Sequence, residues 1–420
     1  MNKSLEMNGV VRIICLLAFL TVSGGAAAQT VFRSAGQEND SIRHGLVHKI
    51  GFEIRPGCVA PTNSFLEGDN ERRKRIDRSL SVHLKYAFQF GEDSYLRRLY
   101  PHAYQGIGVS YSTFFASSEL GDPVTVYAFQ GSRLAALSSR LSLDYEWNFG
   151  ASFGWQKYNS YSNPQNEVIG SEINAYINLG FMLNWQFHPQ WNLTGGVDFT
   201  HYSNGNTHYP NGGLNPVGAR VGVVHTFGTE PAVAASIRPL AIKPHVSYDL
   251  VIYGATRKKG FATEYETCLV PGSFGVLGLN FAPMYNFNKY FRAGVSVDAQ
   301  YDESANIKEY KVYESNGGDM KFHRPPFSEQ FAVGMSARAE LVLPIFSINV
   351  GIGRNVICKG DDTTGFYQVL ALKTSVTRNL FLHVGYQLSK FKDPNNLMLG
   401  FGYRLSLIHI SEPTRPEPIS

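Results

Sequence analysis

Apolar and polar residues alternate along most of the chain from about residue 46 onward, in runs that are separated by turn residues. Segment 291–300 shows the pattern: Phe, Ala and Val occupy its odd positions, whereas its even positions hold Arg, Gly, Ser, Asp and Gln. Successive side chains of a β-strand point to opposite faces, so a period of two indicates strands with one apolar and one polar face. The pattern predicts an all-β protein.

Roughly sixteen such segments can be counted, and many of them are about ten to fifteen residues long. Strands of a soluble sandwich are usually shorter, whereas a tilted strand that crosses a bilayer needs about ten residues. The length therefore favours transmembrane strands. The segments lie near 46–55, 79–90, 104–116, 124–131, 139–157, 170–187, 190–202, 218–227, 243–254, 273–286, 290–301, 329–343, 346–354, 366–376, 380–391 and 397–406.

The connections alternate between short and long. The shortest follow even-numbered strands and lie at 188–190, 287–289, 344–345 and 377–379. The longest follow odd-numbered strands and lie near 56–78, 203–217, 255–272 and 302–328. This asymmetry is typical of outer-membrane barrels, which have short periplasmic turns and long outer loops. We predict one transmembrane, antiparallel, up-and-down outer-membrane β-barrel of about 14–16 strands over residues 46–406, although the connections near 91–103 and 228–242 are longer than the pattern expects.

Composition supports this class and excludes several others. Only 17% of the residues are charged and 13% are aromatic, which excludes a disordered, charge-rich chain. Beyond the first thirty or so residues, no uncharged apolar run approaches the eighteen or so that a membrane-spanning helix needs. A net charge of +4 is too small to indicate nucleic acid as a partner.

The two ends of the chain depart from the strand pattern. Residues 1–28 have a charged start, an apolar run and the small residues 26–28, which predicts a secretory signal peptide cleaved near Ala28 and export to the bacterial outer membrane. Residues 407–420 form an irregular tail that resembles translated sequencing adapter, and we attach no function to it.

Three cysteines remain beyond the predicted signal peptide: Cys58, Cys268 and Cys358. An odd number at wide spacing does not predict a disulfide framework. A single bridge between two of them is left open, because an exported protein experiences an oxidising compartment.

One predicted strand ends in residues that can carry chemistry. Its apolar face, with Trp191, Val197 and Phe199, terminates in His201 and Ser203. Residues two apart project from the same face about 7 Å apart along the strand. A serine hydroxyl becomes a nucleophile when a base such as imidazole lies next to it. The alternative is that the two polar residues merely mark the end of the apolar membrane band.

The loop after this strand is rich in Gly and Asn. Asn215 shares its parity with Ala219 and Val221, so it can face outward beside His201. Backbone amides of such a loop can gather into an oxyanion-binding turn.

These residues resemble the lipid A 3-O-deacylase (acyloxyacyl hydrolase) family, whose members are outer-membrane barrels with a His-x-Ser-Asn motif on the outer rim. The resemblance rests on 201–204, 210–213 and 169–174 and is specific over 139–227. It implies that Ser203 is the nucleophile and His201 the general base. It also implies that four residues lie near the oxyanion, namely Asn204, Asn211, Gly212 and Gly213.

The chain departs from the family at Asn215, where the best-known members have glutamate. A His-Ser-Asn set also resembles outer-membrane phospholipase A, so the expected substrate is lipopolysaccharide, with phospholipid as the alternative. A non-enzymatic channel or adhesion scaffold is the second alternative. Asp198 has the opposite parity from His201 and is rejected as the triad acid, while Glu172 is a weak candidate.

No zinc motif and no phosphate-binding Gly loop is present in the sequence, so no metal or cofactor is expected. Calcium is conceivable by analogy with the phospholipase, but no carboxylate cluster indicates it. The basic segments 71–75 and 257–259 are either solvated loops or docking points for the phosphates of lipid A.

Overall fold

The computed structural model describes residues 46–91, 95–205, 207–208, 210–227, 242–257, 259–262, 267–312, 321–343, 346–377, 379–389 and 393–406. The predicted signal peptide 1–28 and the tail 407–420 lie outside these residues. No helix among the described residues is long and apolar enough to cross a membrane.

The first eight strands form a closed antiparallel barrel, here called barrel 1, in which each strand pairs with its neighbours in the chain and the last pairs with the first. They are β1 (Val47–Val59), β2 (Arg78–Gln89), β3 (Tyr104–Thr113), β4 (Gly121–Ala136), β5 (Leu141–Trp155), β6 (Ile173–His188), β7 (Trp191–Ser203) and β8 (Pro216–Phe227). Two short helices, Ser64–Glu67 and Tyr95–Leu99, lie in its connections.

The following strands contain a second closed barrel, barrel 2. They are β9 (His245–Arg257), β10 (Gly260–Ala262), β11 (Thr267–Leu269), β12 (Phe274–Asn286), β13 (Phe291–Asp302), β14 (Lys311–Val312), β15 (Lys321–Phe322), β16 (Phe331–Val342), β17 (Phe346–Ile357), β18 (Phe366–Ser375), β19 (Leu380–Ser389) and β20 (Asp393–Ser406). The barrel contains β9, β12, β13 and β16–β20, whereas β10–β11 and β14–β15 form separate two-stranded sheets. A 3-10 helix, Ile307–Tyr310, and a helix, Phe327–Gln330, lie in its loops.

The fold confirms an all-β protein of outer-membrane barrel type, but the prediction of one barrel over 46–406 is wrong. Barrel 1 closes because β8 pairs with β1 from Val59↔Pro216 to His48↔Phe227, and barrel 2 closes because β20 pairs with β9. Alternation of apolar and polar residues is the same in one large barrel and in two small ones, since it reports the faces of a strand and not its partners. The long connection near 228–242 joins the two barrels.

In barrel 1 the faces of the strands are as predicted. On β7, Asp198 and Tyr202 are buried in the lumen, whereas Val197 and Phe199 are each 49% exposed on the outer surface. The connections β1–β2, β3–β4, β5–β6 and β7–β8 all lie at the end where β7 terminates. The two-residue turn between β6 and β7 lies at the other end, together with the longer β2–β3 connection, which contains the helix Tyr95–Leu99. The site residues therefore stand at the outer-loop end of an apolar surface.

The outer loops of barrel 1 fold into a cap with its own apolar core. This core is continuous with lumen aromatics and includes Phe65, Leu66, Phe114, Val168, Ile169 and Leu214. Its packing gives the loops around β7 and β8 a defined conformation, since the buried side chains interlock with few alternatives.

Cys58 and Cys358 both carry free thiols, so neither takes part in the bridge that the sequence left open. The side chain of Cys268 lies outside the described part of the chain.

Candidate active site

His201 and Ser203 lie on the lipid-facing side of β7, as their parity predicts. His201 pairs with Ile177 and Ser203 with Ala175 on β6. Both side chains are partly exposed. Phe199, two residues nearer the middle of the strand, points outward on the same face. The two polar side chains therefore continue an apolar stripe at its outer end.

Asn215 contacts His201 directly. Its Oδ1 lies 2.7 Å from His201 Nδ1. The pairing of Tyr202 with Leu214, through two backbone hydrogen bonds of 2.9 Å, brings the two side chains together. With Nδ1 as the donor, the amide oxygen selects the tautomer in which Nε2 is the free base.

Ser203 and His201 share a face but are not hydrogen-bonded to each other in the described part of the chain. Their separation along the strand is about 7 Å at the backbone. Catalytic hydrogen bonds are often long in a substrate-free enzyme and shorten when substrate binds. The arrangement places a serine hydroxyl and an oriented imidazole on one surface.

The Gly212–Gly213 turn holds the imidazole in place. Gly213 has φ of 70°, and a Cβ built on it would lie 3.0 Å from His201 Cε1. The N–H groups of Gly212 and Gly213 donate to the carbonyls of Glu167 and Val168, at 3.0 and 3.3 Å. Both amides are therefore occupied in this structure, and of the two glycines it is Gly213 that lies against the ring.

Asn204 is also structural in this arrangement. It is 7% exposed, and its Nδ2 donates to the carbonyl of His208 at 3.0 Å. Its backbone N–H donates to Asn211 Oδ1 at 2.9 Å. The Nδ2 of Asn211 donates to no described residue, so this side-chain amide is an available donor next to the backbone of Asn204.

Sequence reasoning missed Asn166, which supports the same turn. Asn166 is 1% exposed, and its Oδ1 accepts the N–H groups of Val168 and Ile169 at 3.0 and 2.9 Å. Its Nδ2 donates to the carbonyl of Glu119 at 3.2 Å. A single asparagine in a long loop has no periodic signal, so its role becomes visible only in three dimensions.

A second Ser–His pair, also missed, lies inside barrel 1. Ser81 Oγ is 2.9 Å from His83 Nε2, and His83 Nδ1 is 2.9 Å from the hydroxyl of Tyr127. His83 is only 2% exposed, and Ser81 lines a lumen cavity of about 20 Å³. A cavity of this size holds about one water molecule. This pair is therefore closed to a lipid ester.

The other candidates do not join the site. Asp198 accepts a hydrogen bond from Asn178 in the lumen at 2.7 Å. Glu172 pairs with Lys157 at 2.8 Å, and the hydrogen bond and charge of this lysine lower the pKa of Glu172. Within the described ranges, no group of three or more His, Cys, Asp or Glu is arranged to hold a metal ion.

The basic segments differ between the two barrels. Arg72 is held by Glu119 at 2.6 Å, whereas Arg73 to Arg75 are exposed to solvent. Arg257 is buried, and residue 258 lies outside the described part of the chain.

Comparison with protein families gives two matches that follow the division into barrels. Residues 77–224 match "Lipid A 3-O-deacylase (PagL)", and residues 246–407 match "Acyloxyacyl hydrolase, C-terminal domain". The chain belongs to the lipid A 3-O-deacylase family. This membership makes it an outer-membrane lipid A deacylase, a hydrolase that acts on lipid A acyl esters, with lipopolysaccharide as its membrane substrate.

Solved structures resemble this deacylase family member only in being barrels. The CymD monoaromatic hydrocarbon channel is 9% identical, covers 88% of this chain and 90% of its own, and has a TM-score of 0.18. Omp33 of Acinetobacter baumannii is 8% identical over 86% and 100%, with a TM-score of 0.16. The ferric enterobactin receptor of Pseudomonas aeruginosa is 9% identical over 85% and 70%, with a TM-score of 0.25. Such TM-scores carry no argument about function. No curated protein sequence matches the chain significantly.

Proposed function

We propose that barrel 1 deacylates lipid A with Ser203 as the nucleophile and His201 as the general base. The observation that carries this proposal is the hydrogen bond from His201 to Asn215, which orients the imidazole on the lipid-facing rim where Ser203 also projects. A serine, an imidazole and a group that orients the imidazole are the three parts of a serine hydrolase triad.

Two acyl-transfer steps complete the reaction. Ser203 Oγ attacks the acyl carbonyl while its proton passes to His201 Nε2, and the sugar oxygen leaves with that proton. A water molecule then attacks the acyl-enzyme carbonyl while its proton passes to His201 Nε2. The ester bond to Ser203 breaks, His201 returns that proton to Ser203 Oγ, and the fatty acid is released. The Nδ2 of Asn211 is the donor that we assign to the oxyanion.

The outer surface next to His201 and Ser203 suits an acyl chain. Ile177, Leu179 and Phe199 are each more than 40% exposed on the outside of the barrel. In the membrane these side chains face lipid, so a fatty acyl chain can lie along them without entering a pocket. An acyl chain bound in this way needs no cavity inside the barrel.

Asn215 distinguishes this site from that of the best-known deacylases. An amide can orient imidazole but cannot stabilise imidazolium by charge. The resulting His-Ser-Asn set favours an outer-membrane phospholipase A-like activity as a second candidate. The reaction class is the same for both, so the substrate separates them.

The two Ser–His pairs of barrel 1 allow a matched experiment. We expect Ser203→Ala to abolish release of fatty acid from lipid A, whereas Ser81→Ala, which removes the lumen serine, retains it. Lipid A mass spectra from cells that express each variant measure the reaction, and heat-modifiable migration on gels confirms that each barrel is folded.

Three results would change the assignment. Activity that survives Ser203→Ala would remove Ser203 as the nucleophile, and loss of activity in folded Ser81→Ala would move the chemistry into the lumen. Release of fatty acid from phospholipid but not from lipid A would favour the phospholipase.

A further inference from the structure

Arg78 stands on the lipid-facing rim of barrel 1, on the same surface as Ser203. On β2 the residues of its parity, among them Val82 and Leu84, point outward. The Arg78 side chain is 81% exposed, and its charged partner, Asp77, is 3.9 Å away and 53% exposed. An exposed pair at that distance contributes little, so the guanidinium can engage another anion.

The strand register connects Arg78 to the site. Phe199 pairs with Val217, Val217 with Cys58, and Cys58 with Arg78. This row runs across the outer surface from β7 through β8 and β1 to β2, and it begins two residues before His201. Three strand spacings of about 4.8 Å place Arg78 about 14 Å from β7. The row between them carries no charge.

Arg78 is distinctive among the outward residues at this end of barrel 1. The other strands end there in residues without positive charge at neutral pH, namely Cys58, Thr113, Asp122, Phe153, Ile173, Ser203 and Asn215. Arg78 is therefore the one guanidinium among the outward-facing residues of the strands at this end, whereas the exposed Arg73 and Arg75 lie in the loop before β2. Its planar fork binds the oxygens of a phosphate in a bidentate manner.

We propose that Arg78 binds a phosphate group on the sugar head group of the substrate and so makes barrel 1 selective for phosphorylated acyl sugars. The proposal rests on the proposed function, because it assumes that the ester of the same molecule lies at Ser203. Phosphate bound at Arg78 leaves the acyl chain on the apolar surface between the two residues. Arg78 is thus a substrate-binding residue that takes no part in bond cleavage.

The test uses the full chain in detergent micelles with two substrates, lipid A and the same lipid A after enzymatic removal of its phosphates. We expect Arg78→Ala to raise KM for the phosphorylated substrate about tenfold with little change in kcat. The reason is that the lost contact binds the substrate and the transition state equally well. The dephosphorylated substrate should show no change. Arg78→Lys should recover part of the loss, and Arg140→Ala, which removes an exposed arginine at the opposite end of barrel 1, should have no effect.

An equal effect of Arg78→Ala on both substrates, or no effect on either, overturns the proposal. A binding measurement separates its failure from that of the proposed function. If the wild type hydrolyses neither substrate, the proposed function fails. Binding to vesicles tests the phosphate contact by itself. If Arg78→Ala binds vesicles of phosphorylated lipid A more weakly than the wild type does, but binds vesicles of dephosphorylated lipid A equally well, Arg78 is still supported as the phosphate contact.

Discussion

The two barrels neutralise their interiors in the same way and differ at their rims. In barrel 1, Lys85 bridges Glu53 and Glu146 at 2.7 and 2.6 Å. Arg220 contacts both carboxylates at 2.8 and 2.9 Å, and Arg55 contacts Glu53 at 2.7 Å. Two carboxylates, one lysine and two arginines thus share the lumen.

Barrel 2 repeats this set with different strands. Lys373 bridges Asp249 and Glu340 at 2.9 and 2.8 Å, Arg404 contacts Asp249 at 2.6 Å, and Arg292 is paired with Glu340. In both barrels the first strand supplies an acid and the eighth an arginine that contacts it. Charges that are removed from water require such partners, so the repetition reflects the cost of filling a narrow barrel with polar groups.

The rims do not repeat. The seventh strand of barrel 1 ends in His201 and Ser203 on the outer face, whereas the outward residues near the end of β19, the seventh strand of barrel 2, are Tyr386 and Leu388. The comparison teaches that the lumen network is shared by both barrels, whereas the rim residues to which we assign the chemistry occur on the seventh strand of barrel 1 and not on that of barrel 2.

The largest effect that we predict concerns the lumen network. Glu146→Ala in barrel 1 and Glu340→Ala in barrel 2 should each lower the free energy of unfolding by about 3–5 kcal/mol, because each leaves buried cations without a partner. Denaturant titrations followed by heat-modifiable migration measure the loss. Glu309→Ala, which removes an exposed acid, is the control. If Glu340→Ala were as stable as its control Glu309→Ala, the lumen network of barrel 2 would not stabilise its barrel, and the two lumens would not be equivalent.

A smaller effect is expected at Asn215. Asn215→Ala should lower kcat about 10- to 100-fold, roughly 1.4–2.7 kcal/mol of transition-state stabilisation, because the imidazole loses its orienting acceptor. Asn215→Glu should equal or exceed the wild type, since a carboxylate also stabilises imidazolium. Asn355→Ala, which removes an asparagine bonded to the carbonyl of Thr363 in barrel 2, should not alter turnover. An unchanged kcat in Asn215→Ala would separate Asn215 from catalysis.

The smallest effect is expected at Gly213. Gly213→Ala should cost about 1–2 kcal/mol of stability, because alanine is strained at a positive φ. It should also lower kcat, because the new methyl group presses on His201. Gly365, with φ of 112° and open space around it, provides the control: Gly365→Ala should show similar strain without loss of turnover. Equal kcat values for the two variants would mean that the turn does not position the ring.

Much of the fold and part of the site were predictable from the sequence. The approximate positions of the strands and the outward direction of His201 and Ser203 follow from the period of two, because both depend only on local geometry. The exact bounds do not: β4, predicted at 124–131, spans Gly121–Ala136. The division into two barrels was not predicted, since closure depends on which distant strands pair. The hydrogen bonds of the Gly212 and Gly213 amides were not predicted either, because they reach a loop about forty-five residues earlier in the chain.

The sequence by itself determined the barrel class, the lipid-facing position of the Ser–His pair and the family resemblance. Tertiary structure decided that the sheet closes twice, that Asn215 contacts His201, and that the pair Ser81–His83 is enclosed in the lumen although it has the same spacing. The physical reason is that strand patterning is a short-range property of side chains and faces. Closure, enclosure and hydrogen bonding between loops depend on contacts between residues far apart in the chain, which no local pattern encodes.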